Sequence, residues 1–254
     1  MQGITPKKLT PSKLVAYTAI MCALLIGGQI VFSAVVGVEV VTLLLLCFSV
    51  VFGAKAGAIC GTAFSILRCA IFGFSPTAFI LYIVYYPSFG ALFGAVGHIS
   101  KNSYSHYPLY LAVIANFVLC GLAVLCAVCN ILGLIKISVL YKTTVTVLLW
   151  VICGLCAVMC AAFDVLFVLQ KRGKDVANVL ELLTVAGLAA VCTVCFTLLD
   201  DIICPMFYGW SSLTALTYFY ASLMAMLPQT VCTIVSACTL YLPLTAVLKR
   251  TAAL

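Results

Sequence analysis

Two adjacent carboxylates, Asp200 and Asp201, lie in the stretch FTLLDDIICPMFYGW at residues 196–210, between an apolar run and an aromatic turn. The chain has six acidic residues, so two side by side in an apolar stretch call for an explanation. A carboxylate near hydrocarbon is costly, and such a group is a functional candidate by default. The chemistry open to the pair is charge-assisted hydrogen bonding to a cation or an amine. The neighbouring Tyr208 and Trp210 add ring faces that attract cations. No nucleophile and base occur in an arrangement suited to acyl transfer, and no GxxxxGK[ST] phosphate loop is present, so catalysis and ATP hydrolysis are not assigned to this chain. Pro205 is expected to break the helix that carries the acids, which puts them at its outer end.

The elements that position these groups follow from composition. Apolar residues make up 66% of the chain and charged residues 7%, against about 25% charged in a soluble domain. Long apolar runs succeed one another without the alternation of a β-barrel. The fold class is therefore all-α, a polytopic integral membrane bundle of about eight spans. A net charge of +7 does not indicate nucleic acid, because the basic residues gather at the ends of the apolar runs, as topology signals do.

In chain order, spans are expected at about 13–36, 40–52, 56–72, 77–97, 109–135, 145–170 and 177–200. A stretch at 211–248 would be about 57 Å long as one helix, nearly twice the hydrocarbon thickness. It is therefore divided into an outer cap at 213–226 and a last span that Pro228 opens. The first run, with Lys7, Lys8 and Lys13 before it, is too long for a signal h-region and reads as a retained helix. Ala19, Ala23 and Gly27 form a small-residue stripe on its face, which suits packing within the protein or docking on a partner membrane protein. Gly57 and Gly61 have the same spacing. Arg68 falls in the outer half of the third span, where two roles fit: snorkelling to head groups, or a place beside the acids. Tyr82 and Tyr85 suit either an interfacial belt or an aromatic site wall. Asp164 is read as reaching the inner interface.

With both termini cytoplasmic, Lys7, Lys8, Lys13, Lys55, Lys101, Lys171, Arg172, Lys174, Lys249 and Arg250 fall inside and Arg68, Lys136 and Lys142 outside. Ten against three obeys the positive-inside rule. The same arrangement gathers Glu39, Arg68, Asp200 and Asp201 on the outer side, with Phe74, Tyr82, Tyr85, Tyr208, Trp210 and Tyr218. These ten residues are the expected binding site for a small molecule, with more carboxylate than base. That balance favours a planar, cationic or amine-bearing ligand, while a carboxylate ligand held by Arg68 is the rival. The fifteen cysteines include three CxxC spacings, each deep in an apolar run without a histidine, and are read as small packing residues with no metal or cofactor.

The run VEVVTLLLLCFSVVFGAKAGAICG at 38–61, the AxxxA of Ala19 and Ala23, and FYGWSS through LPL at 207–244 resemble the substrate-binding S components of energy-coupling factor (ECF) vitamin transporters. The resemblance covers about 14–98 and 185–250. It implies one membrane domain with a six-helix core from 1–98 and 177–250, and 109–170 as an inserted helix pair, a departure from the family. It further implies capture of a vitamin-type micronutrient at the outer face of the cell membrane. A membrane coupling subunit docked on Ala19, Ala23 and Gly27 and two ATPase subunits in trans would drive release inward. The alternative is a self-sufficient secondary transporter in which Asp200 and Asp201, or Asp164, bind protons or sodium.

Overall fold

A computed structural model describes residues 10–32, 40–102, 107–132, 139–172 and 177–253. Among the described residues eight helices follow one another: α1 Pro11–Phe32, α2 Val40–Phe52, α3 Ala54–Phe72, α4 Pro76–Asn102, α5 Tyr107–Ile131, α6 Val139–Lys171, α7 Ala177–Tyr208 and α8 Ser212–Ala253. Seven are long and apolar enough to cross a membrane, and α2, with 13 residues, is the short one. The chain is an all-α, multi-pass membrane bundle. Hydrocarbon enforces this architecture, because a helix satisfies its own backbone hydrogen bonds. Glu39 lies outside the described residues.

The chain forms two compact units. Unit 1 contains residues 1–105 and 235–254, and unit 2 residues 106–234, so α8 contributes its first half to one and its second half to the other. In unit 1, α2, α3 and α4 pack on one another, and α1 lies against α2 and α3. A single residue, Gly53, turns α2 into α3. Its φ of 92° and ψ of 173° belong to a region that side chains disfavour, so only glycine makes this corner without strain. The GxxxG face of α3 then meets α4 backbone to backbone. A Cβ added at Gly61 would collide with the Tyr86 carbonyl, and one at Gly57 with that of Gly90. By contrast, Ala19 and Ala23 on α1 are exposed, and nothing lies within 4 Å of a Cβ placed at Gly27. Of the two small-residue stripes, α3 uses its own for internal packing and α1 leaves its own open. The Tyr17 hydroxyl donates to the Thr251 carbonyl at 3.0 Å and ties the end of α8 to α1.

In unit 2, α5 packs on α6 and α7, and a core of Ala123, Ala127, Leu149, Cys153, Cys156, Val194, Tyr220, Leu223 and Met226 joins them to the first half of α8. The cysteines take part as small apolar side chains.

Two expected breaks are absent. Pro205 does not end α7, which continues to Tyr208, and Pro228 does not divide α8, which runs unbroken for 42 residues. There is no separate outer cap. Proline costs a helix one hydrogen bond but does not turn the chain, and membrane helices tolerate it. Helices very commonly end where a residue enters the left-handed region, and α8 contains no glycine, asparagine or aspartate. In α7 the first such residue after Pro205 is Gly209, with φ of 61°, and there the helix stops. The Trp210 amide donates to the Pro205 carbonyl at 3.0 Å, closing a Schellman-type cap.

Candidate functional site

The turn at Gly209 folds α7 back along α8 as an antiparallel hairpin within unit 2. Ser211 caps the start of α8: its Oγ accepts the Thr214 amide at 3.3 Å. Because α7 continues past Pro205, the acids do not lie at its end. At 1.5 Å per residue they sit about 10–12 Å short of it, on the helix wall facing α8.

Each acid meets a different donor. The Tyr218 hydroxyl donates to Asp200 Oδ2 at 2.6 Å, and the Cys204 thiol donates to Asp200 Oδ1 at 3.3 Å. Both oxygens of Asp200 therefore have a donor. The Ser222 hydroxyl lies 2.7 Å from Asp201 Oδ2 and 2.8 Å from the Phe219 carbonyl. Asp201 Oδ1 is buried and has no hydrogen-bond partner among the described residues, although the residue is only 9% exposed. A buried carboxylate oxygen without a donor is costly and is the atom a ligand or a proton would satisfy.

Aromatic rings lead away from the pair. Tyr218 meets Trp210 edge-on with ring centroids 5.1 Å apart, and Trp210 stacks on Tyr208 at 5.8 Å. Tyr208 is about half exposed, so the wall runs from the acidic pair, of which Asp201 is buried and Asp200 part-buried, to the surface of the hairpin. Deeper along the same hairpin, Thr193 and Thr233 hydroxyls lie 3.2 Å apart. An apolar cleft with about 420 Å³ of empty volume, including its open mouth, lies between α5, α6, α7 and α8, with Asn116 and Thr230 among its lining residues.

The ten expected site residues thus separate by unit. Asp200, Asp201, Tyr208, Trp210 and Tyr218 come together on the hairpin. Arg68, Phe74, Tyr82 and Tyr85 belong to unit 1, and Glu39 is the residue outside the described ones. There the Arg68 guanidinium carbon lies 3.9 Å from the Tyr82 ring centroid. Tyr82 stacks on Tyr86, Tyr85 is buried edge-on to Tyr86, and Phe74 packs on Phe79 with its ring largely exposed. Asp164 is exposed.

Sequence reasoning missed Cys204 and Ser222. A signal for both was present, because Cys204 follows Asp200 by four residues on α7 and Ser222 follows Tyr218 by four on α8, a spacing that places each pair on one helix face. Among the described residues no group of three or more His, Cys, Asp or Glu side chains is arranged to hold a metal. No protein-family model, curated protein or solved structure matches the chain.

Proposed function

We propose that this chain is the substrate-capture subunit of an ATP-driven micronutrient transporter, of the kind represented by ECF S components, in the cell membrane with both termini cytoplasmic. Its ligand is a small, planar, nitrogen-containing cation or amine, such as a thiamine-like pyrimidine. The observation that carries the ligand class is the Asp201 carboxylate, buried, bonded by Ser222 on one oxygen and unpartnered on the other, beside a wall of Tyr218, Trp210 and Tyr208. A ligand N–H donor satisfies Asp201 Oδ1 while the rings cover its faces. The exposed Ala19 and Ala23 stripe on α1 suits close docking of a coupling subunit, and the resemblance of 38–61 and 207–244 supplies the transporter class.

The test is affinity purification of the tagged chain from its native membranes in mild detergent, with mass spectrometry of what accompanies it. A second membrane protein with two P-loop ATPases is expected. A chain that repeatedly comes down intact and alone overturns the reading.

A second reading draws on the same orphaned oxygen: Asp201 as a proton or sodium carrier in a self-sufficient transporter. It predicts ion-gradient-driven uptake by the purified chain in proteoliposomes, which the first reading forbids.

A further inference from the structure

Arg68 lies in α3 four residues before its end at Phe72. An arginine extended to water would expose its whole head group. Here the head is turned back onto α4. Its guanidinium carbon lies 3.9 Å from the Tyr82 ring centroid and 5.6 Å from that of Phe72, and its Nε is buried without an acceptor among the described residues. No carboxylate of the described residues is within ion-pairing distance of it. Tyr82 is a fixed platform: its ring stacks on Tyr86 at 5.5 Å, and its carbonyl lies 2.8 Å from the buried Ser65 hydroxyl.

Rings and N–H groups satisfy different parts of a guanidinium. An aromatic face attracts the cation but accepts none of its in-plane N–H bonds well. With rings against the head group, the planar N–H fork is what remains, and that fork matches the two oxygens of a carboxylate or phosphate. Leaving such a charge unpaired within a membrane span is costly, so an anion there is strongly favoured.

We propose that Arg68, held by Tyr82 and Phe72, is an oxyanion site that binds a carboxylate or phosphate in the plane of its guanidinium. The site lies in unit 1 and does not depend on the acidic pair or on the transport reading. A free small anion and the phosphate of a lipid head group share this chemistry. Phe72 against it and the exposed Ile71 and Phe74, which follow Arg68 closely in the chain, provide the apolar surface on which a lipid's acyl chains would lie.

The full chain, purified in a neutral detergent and stripped of lipid, is titrated at constant ionic strength with sodium acetate and sodium phosphate against chloride. In parallel it is titrated with short-chain phosphatidylglycerol against the matching diacylglycerol, which lacks phosphate. The readout is the thermal unfolding temperature. Stabilisation by acetate or phosphate identifies a free-anion site, and stabilisation by phosphatidylglycerol alone identifies a head-group site. Either is expected to vanish in Arg68→Gln. In Arg68→Lys, which keeps the charge and provides for a Gln variant that fails to fold, the apparent affinity is expected to fall roughly ten-fold, because an ammonium lacks the fork. No stabilisation of the wild type by any of the probes, or an equal response in either variant, overturns the proposal.

Discussion

The hairpin of unit 2 and the α3–α4 pair of unit 1 both hold ionisable side chains within apolar helices, and they accommodate them in different ways. On the hairpin, hydroxyl and thiol groups from the chain itself point at the carboxylates: Tyr218 and Cys204 at Asp200, and Ser222 at Asp201. On α3, aromatic rings cover Arg68 and leave its N–H groups to something outside the described residues. The contrast follows from donor and acceptor chemistry. A hydroxyl on the next helix can donate to an acid over one short bond, whereas a guanidinium carries five donors, more than neighbouring rings can satisfy. The hairpin is thus nearly self-sufficient and short of one donor, at Asp201 Oδ1. The arginine is short of an anion.

The largest expected effect separates the packing that supports these sites from the sites themselves. Gly61→Leu forces a side chain into the Tyr86 carbonyl and should destabilise unit 1 by about 3 kcal/mol or more. Ala23→Leu, on the open stripe of α1, should leave the unfolding temperature unchanged while abolishing recovery of the proposed coupling subunit. Thermal unfolding followed by circular dichroism measures the first outcome and co-purification the second. Equal destabilisation by both substitutions would mean that the α1 stripe is also internal packing.

The two acids should also part company. Asp200→Leu strands the Tyr218 hydroxyl and the Cys204 thiol and should cost roughly 1–3 kcal/mol. Asp201→Leu removes a buried carboxylate that already lacks one partner and should be close to neutral in stability, about 1 kcal/mol in either direction. Binding should show the reverse order. Asp201→Asn, which can no longer meet a cation with charge, is expected to weaken a thiamine-like cation at least ten-fold, by roughly 1.4 kcal/mol, and more than Asp200→Asn does. Calorimetry with the purified chain reads both, and equal losses would remove the distinction between the two oxygens.

Tyr218→Phe deletes one donor and keeps the ring against Trp210, so a loss of about 1.5 kcal/mol is expected, that of a hydrogen bond to a charged group. Tyr82→Leu removes one ring from Arg68 and should cost about 1 kcal/mol, less than Tyr218→Phe. A much larger loss at Tyr82 than at Tyr218 would reverse the comparison and make unit 1 the more self-contained of the two.

Sequence by itself determined the class and most of the elements. Continuous apolar runs in a chain with few charges can only be membrane helices, and the short α2 was legible from its length. The turn after the acidic stretch was legible from Gly209 following an apolar run, and the structure gives Gly209, like Gly53, a positive φ. The prolines misled: Pro205 and Pro228 read as boundaries, but α7 continues past Pro205 to Tyr208 and α8 runs through Pro228, as membrane helices tolerate proline. That error placed the acids at a helix end, where the structure sets them about two turns inside.

What only the tertiary structure decided is which of two identical neighbours does what. Asp200 and Asp201 are the same residue type, in the same helix, one position apart. Successive side chains leave a helix about 100° apart, so the two carboxylates face different parts of α8. The register of the hairpin gives Asp200 its tyrosine and Asp201 its serine. Nothing in the identity of the two residues encodes that register. It comes from how the two helices pack along the hairpin, where Val194, Leu223 and Met226 share the core of unit 2.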